Sequence, residues 1–187
     1  MAATAVISRT ERSHPVLWVT RSRIRVNRTA TAWLVRRFID PGAAFCFVEP
    51  GDVARVQRDR GAIGFDAPGA RYPHQDRYGR CSFEALADEY RPGDVALGKL
   101  ALIVHAADLP DVPRQKPRRV RAPSIQISLT RHRRSPSPAH TLGVEEAAGL
   151  RAISQGFTLV AHSDHDTLER SGFLYDALYA SLRGKAQ

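Results

Sequence analysis

The chain has 187 residues, of which 43% are hydrophobic and 25% charged, and its formal net charge is +9. This length and composition are typical of one soluble domain with a hydrophobic core. No apolar run approaches the roughly 20 residues that a membrane-spanning helix needs, and residues 1–14 lack the apolar stretch of a signal peptide. The sequence thus argues against a membrane partner, and we expect a cytoplasmic protein. Cys46 and Cys81 form neither a CxxC pair nor a disulfide framework.

The positive charge is concentrated in residues 112–142. This segment holds eight of the 28 Lys and Arg residues and no Asp or Glu, so the rest of the chain is nearly neutral. It also holds five of the twelve prolines. We interpret it as a long, flexible, solvated insertion. Two alternatives are a loose, salt-sensitive nucleic-acid contact and a mistranslated stretch.

The first half of the chain predicts alternating strands and helices. After a flexible leader at residues 1–14, hydrophobic periodicity predicts strands at 16–24, 43–48 and 62–65, with helices at 29–39 and 51–60 between them. Asn27 is the expected N-cap of the first helix, and the third strand ends at Asp66.

The second half predicts helices. Residues 72–81 read as a loop, followed by a helix at 82–90 capped by Ser82 and a helix at 95–107 capped by Asp94. Beyond the insertion, helices are expected at 145–155, ended by Gly156, and from Ser163 onward. The order predicts an α+β fold, in which a small sheet from the N-terminal half packs against a helical cluster. Residues 15–187 would form a single domain, interrupted at 112–142.

Four residues form a candidate metal site. His105 and Asp108 lie three apart on one helix and share a face, Glu84 lies in the first turn of another helix, and His74 lies in a loop. Imidazoles and carboxylates together suit a divalent metal ion, whose identity the sequence leaves open. Additional candidate ligands are Asp66, Cys81 and Asp164. The alternative is that Glu84 complements the helix dipole while the others are ordinary polar residues.

Arginines follow the first predicted strand and continue along the next helix, at positions 21, 23, 25, 28, 36 and 37. Guanidinium groups bind oxyanions in a bidentate fashion, so Arg28 and Arg36 are candidate anion-binding residues. The alternative is a solvated face whose charges pair with nearby carboxylates.

Several blocks of sequence resemble one family. They are WVTRSRIRVNRTATAWLVRRFIDPGAAFCFVEP, AIGFDAPGARYPH, CSFEALADEY, KLALIVHAADLPD, EEAAGLRAISQGF and LYDALYA. In this order they resemble the C-terminal domain of the chromate resistance protein ChrB, over about residues 16–111 and 144–182. In that family the domain often follows an N-terminal regulatory segment of a chromate-responsive regulator, and it also occurs alone. We expect the stand-alone form here.

The resemblance implies a role in chromate resistance or metal stress. Two departures stand out: the family usually has Asp where this chain has Asn27, and it lacks the insertion at 112–142. Combined with the candidate ligands, the resemblance predicts a sensor or accessory factor that binds a metal or an oxyanion such as chromate. A metal-dependent hydrolase or redox enzyme using the same residues is the first alternative, and a nucleic-acid-binding module is the second. Whether the protein is an enzyme, and its oligomeric state, stay open.

Overall fold

The computed structural model describes residues 15–108 and 144–184. The expected leader and the expected insertion at 112–142 lie outside these residues. The described helices are α1 (Val26–Leu34), α2 (Val53–Arg60), α3 (Ser82–Tyr90), α4 (Val95–Asp108), α5 (Val144–Val160) and α6 (Asp164–Gly184). A π-helical turn (Val35–Ile39) extends α1, and a short 3-10 turn (Pro50–Asp52) precedes α2. No helix within the described ranges combines the length and the apolarity needed to cross a membrane.

Within the described residues, three strands form a parallel sheet in the order β2-β1-β3. They are β1 (Leu17–Arg21), β2 (Ala44–Val48) and β3 (Ile63–Gly64), and Val19 of β1 lies opposite Cys46 on one side and Gly64 on the other. The α+β prediction is therefore confirmed. Because the chain moves from β1 outward to β2 and then returns past β1 to β3, the strand order reverses between β1 and β3. Such reversal points open a crevice at the carboxyl ends of the strands, where ligands bind in many parallel sheets.

Helices cover both faces of the sheet. On one face Trp18, Phe45 and Phe65 join the main hydrophobic core, in which α1 packs against α3, α4 and α6. On the other face Val19 packs with Val53 and neighbouring side chains of α2. This arrangement follows from β1, whose three central residues are all buried, as a strand covered on both faces requires.

The signals predicted at three helix ends, Asn27, Ser82 and Gly156, are wrong. Helix α1 begins before Asn27, whose side chain bonds to Asp66 and to the backbone of Phe83 instead of capping the helix. The N-cap of α3 is Cys81 and not Ser82. Helix α5 continues through Gly156 to Val160, because a helical glycine costs only about 1 kcal/mol, which packing of α5 against α4 outweighs.

Gln57 ties the short strand β3 to the loop that follows it. Its Oε1 accepts the backbone N–H groups of Gly64 (2.9 Å) and Arg71 (3.0 Å), and its Nε2 donates to the Gly69 carbonyl (2.9 Å). A Cβ at Gly64 would lie 2.3 Å from that Oε1. The absence of a side chain at Gly64 thus permits the contact that sets the chain direction before Asp66.

We expect Gly64→Ala to lower the free energy of unfolding by about 1–3 kcal/mol, because the methyl group displaces the Gln57 side chain from its hydrogen bonds. Urea denaturation measures the loss. In a Gln57→Ala background the same substitution should cost much less, since the obstructing side chain is gone. An equal cost in both backgrounds would contradict this explanation.

Candidate metal centre

Asp66 lies at the centre of a cluster of polar side chains at this reversal point. It lies two residues after β3, at the carboxyl ends of β1 and β3, and its φ of 51° places it in the left-handed region. Few residues other than glycine adopt this conformation, although Asp tolerates it better than most. Its backbone N–H donates to the Tyr72 carbonyl at 2.7 Å, which fixes the turn. The surrounding structure therefore imposes a strained backbone that directs a carboxylate into the interior.

Four side chains surround the Asp66 carboxylate, which is only 3% exposed. Asn27 Nδ2 donates to Oδ1 at 2.7 Å, and His74 Nδ1 lies 2.6 Å from the same oxygen. The guanidinium groups of Arg21 and Arg28 lie 3.4 and 3.6 Å from Oδ2. The buried negative charge is thus compensated, as an ionised interior carboxylate requires.

Asp108, at the end of α4, joins Asp66 and His74. Its Oδ2 lies 3.6 Å from His74 Nδ1 and, among the described residues, has no hydrogen-bond partner. Each of the three residues offers a ligand atom within 4.8 Å of the others. We call Asp66, His74 and Asp108 the outer group, since the His74 side chain is 38% exposed.

Burial and charge act on the protonation of the outer group. Desolvation raises the pKa of the Asp108 carboxyl, and the nearby Asp66 charge raises it further. The hydrogen bond to Asp66 raises the pKa of His74, against the opposing effect of burial. Burial lowers the pKa of the Arg28 guanidinium, which Asp66 partly offsets. Burial and the Asp66 charge both disfavour the ionised form of Asp108. A cation bound between the two carboxylates would favour that ionised form.

A second group, the inner group, consists of Cys81, Glu84 and His105, all buried and with ligand atoms within 4.8 Å of one another. Glu84 Oε2 accepts the Cys81 backbone N–H at 2.9 Å and lies 2.6 Å from His105 Nδ1. Burial raises the pKa of the Cys81 thiol well above its usual range, and the Glu84 charge adds to this effect.

The structure therefore divides the four expected ligands between two groups. His74 and Asp108 lie in the outer group with Asp66, whereas Glu84 and His105 lie in the inner group with Cys81. Helix α4 joins the groups, because His105 and Asp108 are three residues apart on it. Of the further candidates, Asp66 and Cys81 complete the two groups.

Asp164 lies in neither group. Its two carboxylate oxygens accept the backbone N–H groups of Arg23 (2.9 Å) and Ile24 (2.8 Å), which fastens α6 to the turn between β1 and α1. Arg36 is also engaged elsewhere, because it pairs with Glu169 and its guanidinium lies 5.2 Å from the centre of the Phe45 ring. Of the two expected anion-binding residues, only Arg28 lies beside the outer group.

Both histidines form a hydrogen bond to a carboxylate through Nδ1. Nδ1 of His74 faces Asp66 and Nδ1 of His105 faces Glu84, and since a carboxylate only accepts, the ring nitrogen donates. The bond fixes the ring and its tautomer in the metal-free protein, and an ion bound by both partners would replace it once the ring proton moves to Nε2. The arrangement is therefore compatible with metal binding at either group.

Comparison with known proteins identifies the family. The profile described as "ChrB, C-terminal domain" matches residues 18–141. The chain belongs to the ChrB C-terminal domain family. It is 31% identical over 163 residues to Protein ChrB of Cupriavidus metallidurans, an alignment that covers 87% of this chain and 39% of that protein. The chain thus spans about two fifths of the length of this relative. No solved structure gives a significant match.

One departure from the ChrB family pattern lies inside the site. Asn27 stands where the resemblance leads us to expect Asp, and its Nδ2 donates to Asp66 Oδ1 at 2.7 Å. An aspartate could not donate there and would place a second carboxylate against Asp66. Asn27 thus lowers the negative charge of the crevice by one. From the sequence, Asn27 was expected to be an N-cap and a departure from the family, and Arg21 was one of several arginines. Their roles were missed because they depend on contacts with Asp66 across 39 and 45 residues.

Proposed function

We propose that this domain acts in chromate resistance as a sensor or accessory factor that binds a divalent cation at the outer group. Membership of the ChrB family supports the biological role. The observation that carries the binding proposal is the convergence of Asp66, His74 and Asp108 within 4.8 Å. A buried Asp108 oxygen with no hydrogen-bond partner in the described residues adds to it.

The donor set favours a first-row metal. Two carboxylates and one imidazole suit Mn²⁺, Fe²⁺, Co²⁺ or Zn²⁺. Asp66 and Asp108 would each supply an oxygen and His74 a ring nitrogen. Bound, the ion would supply positive charge between two carboxylates that otherwise repel each other.

Two arginines extend the proposal to oxyanions. Arg21 and Arg28 lie beside Asp66, and Arg21 Nε also donates to the Asp66 carbonyl at 2.8 Å. Guanidinium groups next to a cation are suited to a tetrahedral dianion such as chromate. We infer that an oxyanion would bind at the exposed side of the crevice, next to the metal and Arg21.

The test is Mn²⁺ binding to chelator-treated protein, followed by calorimetry. We expect one Mn²⁺ at the outer group and an affinity at least tenfold weaker in His74→Ala, because a ligand is lost. His162→Ala is the matched control, since His162 is exposed and lies outside both groups. Equal Mn²⁺ binding by the wild type and His74→Ala would refute the proposed site.

An enzyme using the same centre is the second candidate. The partial exposure of His74 would let water reach a bound ion, and a metal-bound water is a nucleophile at neutral pH. A metal-dependent hydrolase would lose turnover in His74→Ala together with Mn²⁺ binding. The nucleic-acid hypothesis concerns residues 112–142, outside the described ranges, and stays a prediction.

A further inference from the structure

The N-cap of α3 carries an unusual side chain. Hydroxyl and carboxylate side chains are the favoured N-caps, because their oxygens accept the free backbone N–H groups of the first turn. Here the Cys81 sulfur accepts the Glu84 N–H, while the Glu84 carboxylate accepts the Cys81 N–H. A thiol is a weak acceptor compared with a hydroxyl. Capping alone therefore does not account for cysteine at a position where serine would serve better.

A second feature accompanies the thiol. His105 and Glu84 converge on Cys81, and the three residues are 5%, 1% and 0% exposed. One sulfur, one oxygen and one nitrogen atom, from the ends and faces of two packed helices, lie within 4.8 Å of one another. Ligands of one tetrahedral zinc ion lie about 3–4 Å apart, given metal–ligand distances of about 2.0–2.3 Å. Glu84 Oε2 and His105 Nδ1, which lie 2.6 Å apart in the metal-free protein, would move apart to this distance around an ion.

We propose that Cys81, Glu84 and His105 form a second metal site, which takes a thiophilic divalent ion such as Zn²⁺ or Co²⁺. The site differs from the outer group in chemistry, since a thiolate selects softer ions than two carboxylates do. It also differs in access, because the inner group is fully buried whereas His74 reaches solvent. An ion at the inner site would fasten α3 to α4, because its ligands come from the start of one helix and the face of the other.

Binding exchanges a proton for the metal. The S–H bond of Cys81 breaks, a sulfur–metal bond forms, and the proton leaves to solvent. The hydrogen bond between His105 and Glu84 also breaks, the ring proton moves to Nε2, and the neutral ring and the carboxylate each donate an electron pair to the ion. Burial of the thiol keeps it protonated in the metal-free protein. Binding should accordingly release one proton per ion and weaken as the pH falls.

The experiment is a Co²⁺ titration of the chelator-treated full chain, followed by absorption spectroscopy. Thiolate-to-cobalt charge transfer gives a near-ultraviolet band that carboxylate and imidazole ligands do not produce. We expect the band in the wild type and in Cys46→Ser, and its loss in Cys81→Ser, which keeps a capping oxygen at the N-cap. A band that persists in Cys81→Ser, or that is missing in the wild type, would overturn the proposal.

A second measurement covers the case in which Cys81→Ser fails to fold. Cys81 is the one remaining cysteine in Cys46→Ser, because the chain has two. X-ray absorption of zinc-loaded Cys46→Ser should then show a sulfur neighbour at about 2.3 Å, and a shell of nitrogen and oxygen alone would overturn the inner site. A different result would refute the outer site without refuting the inner one. In that result Asp108→Asn binds as much Co²⁺ as the wild type, and the charge-transfer band is unchanged.

Discussion

Replacing Asp66 with alanine should lower the free energy of unfolding of the metal-free protein by about 3–5 kcal/mol. Removing one partner of a buried charge cluster leaves the others uncompensated, and this penalty is the largest that a single polar substitution commonly causes. Here the substitution would leave Arg28, Arg21 and His74 without the carboxylate that all three contact, which is 3% exposed. The left-handed backbone would also have to accommodate alanine, which adds to the cost.

Two further variants divide the expected stability loss into its causes: the lost charge, the left-handed backbone and the removal of any carboxylate. Asp66→Asn retains a side chain that tolerates the left-handed conformation, so it should cost less than Asp66→Ala. Asp59→Ala removes an exposed carboxylate that lies 3.5 Å from Arg58, and it should change stability by less than about 1 kcal/mol. Chemical denaturation in the presence of chelator measures all three. A cost below 1 kcal/mol for Asp66→Ala would show that Asp66 does not organise the crevice.

Asp108→Asn is expected to weaken Mn²⁺ binding about 100-fold while making the metal-free protein more stable. Loss of a direct ligand should cost at least as much affinity as loss of a residue that only positions one. The stabilisation follows from burial and from the Asp66 charge, which both raise the pKa of Asp108 and so disfavour its ionised form in the folded state. A neutral amide of the same shape removes that cost. Opposite effects on stability and binding are typical of a functional residue.

The pH dependence of the Asp108→Asn effect has a definite sign. Because the folded-state pKa of Asp108 is raised, the wild type bears the cost of ionisation at pH values above that pKa. Above the folded-state pKa, the variant should exceed the wild type in free energy of unfolding by the largest amount. The difference should vanish below the unfolded-state pKa, which is near 4. Thermal unfolding at several pH values, with Asp59→Asn as the exposed control, measures this difference. A variant less stable than the wild type at neutral pH would contradict the account.

The fold was predictable from sequence because its periodic signals are strong. The alternation of strands and helices through Arg60, the loop before Cys81 and the Asp94 cap, whose Oδ1 accepts the Leu97 N–H at 3.0 Å, all follow from local patterns. The sheet order β2-β1-β3 was not predictable, since strand pairing is set by contacts between residues distant in the chain. Gly156 was misread because packing between helices overrides a modest local propensity.

The sequence pointed to residues that cluster in the structure, but it did not give their division into two groups. His105 and Asp108 lie on one helix, as predicted, yet their spacing could not show that they belong to different groups. That division depends on where the Asp66 turn meets the end of α4, which no local pattern encodes. Asp66 was expected only as an additional candidate ligand, although its carboxylate contacts four side chains in the described residues.

The most direct test of the central proposal is the anomalous diffraction of crystals grown with Mn²⁺. We predict a peak within bonding distance of Asp66, His74 and Asp108. Crystals of Asp108→Asn, grown under the same conditions, should show no peak there. A well-ordered crevice without a peak in the wild type, or a peak of equal height in both proteins, would contradict the proposal that the outer group binds a cation.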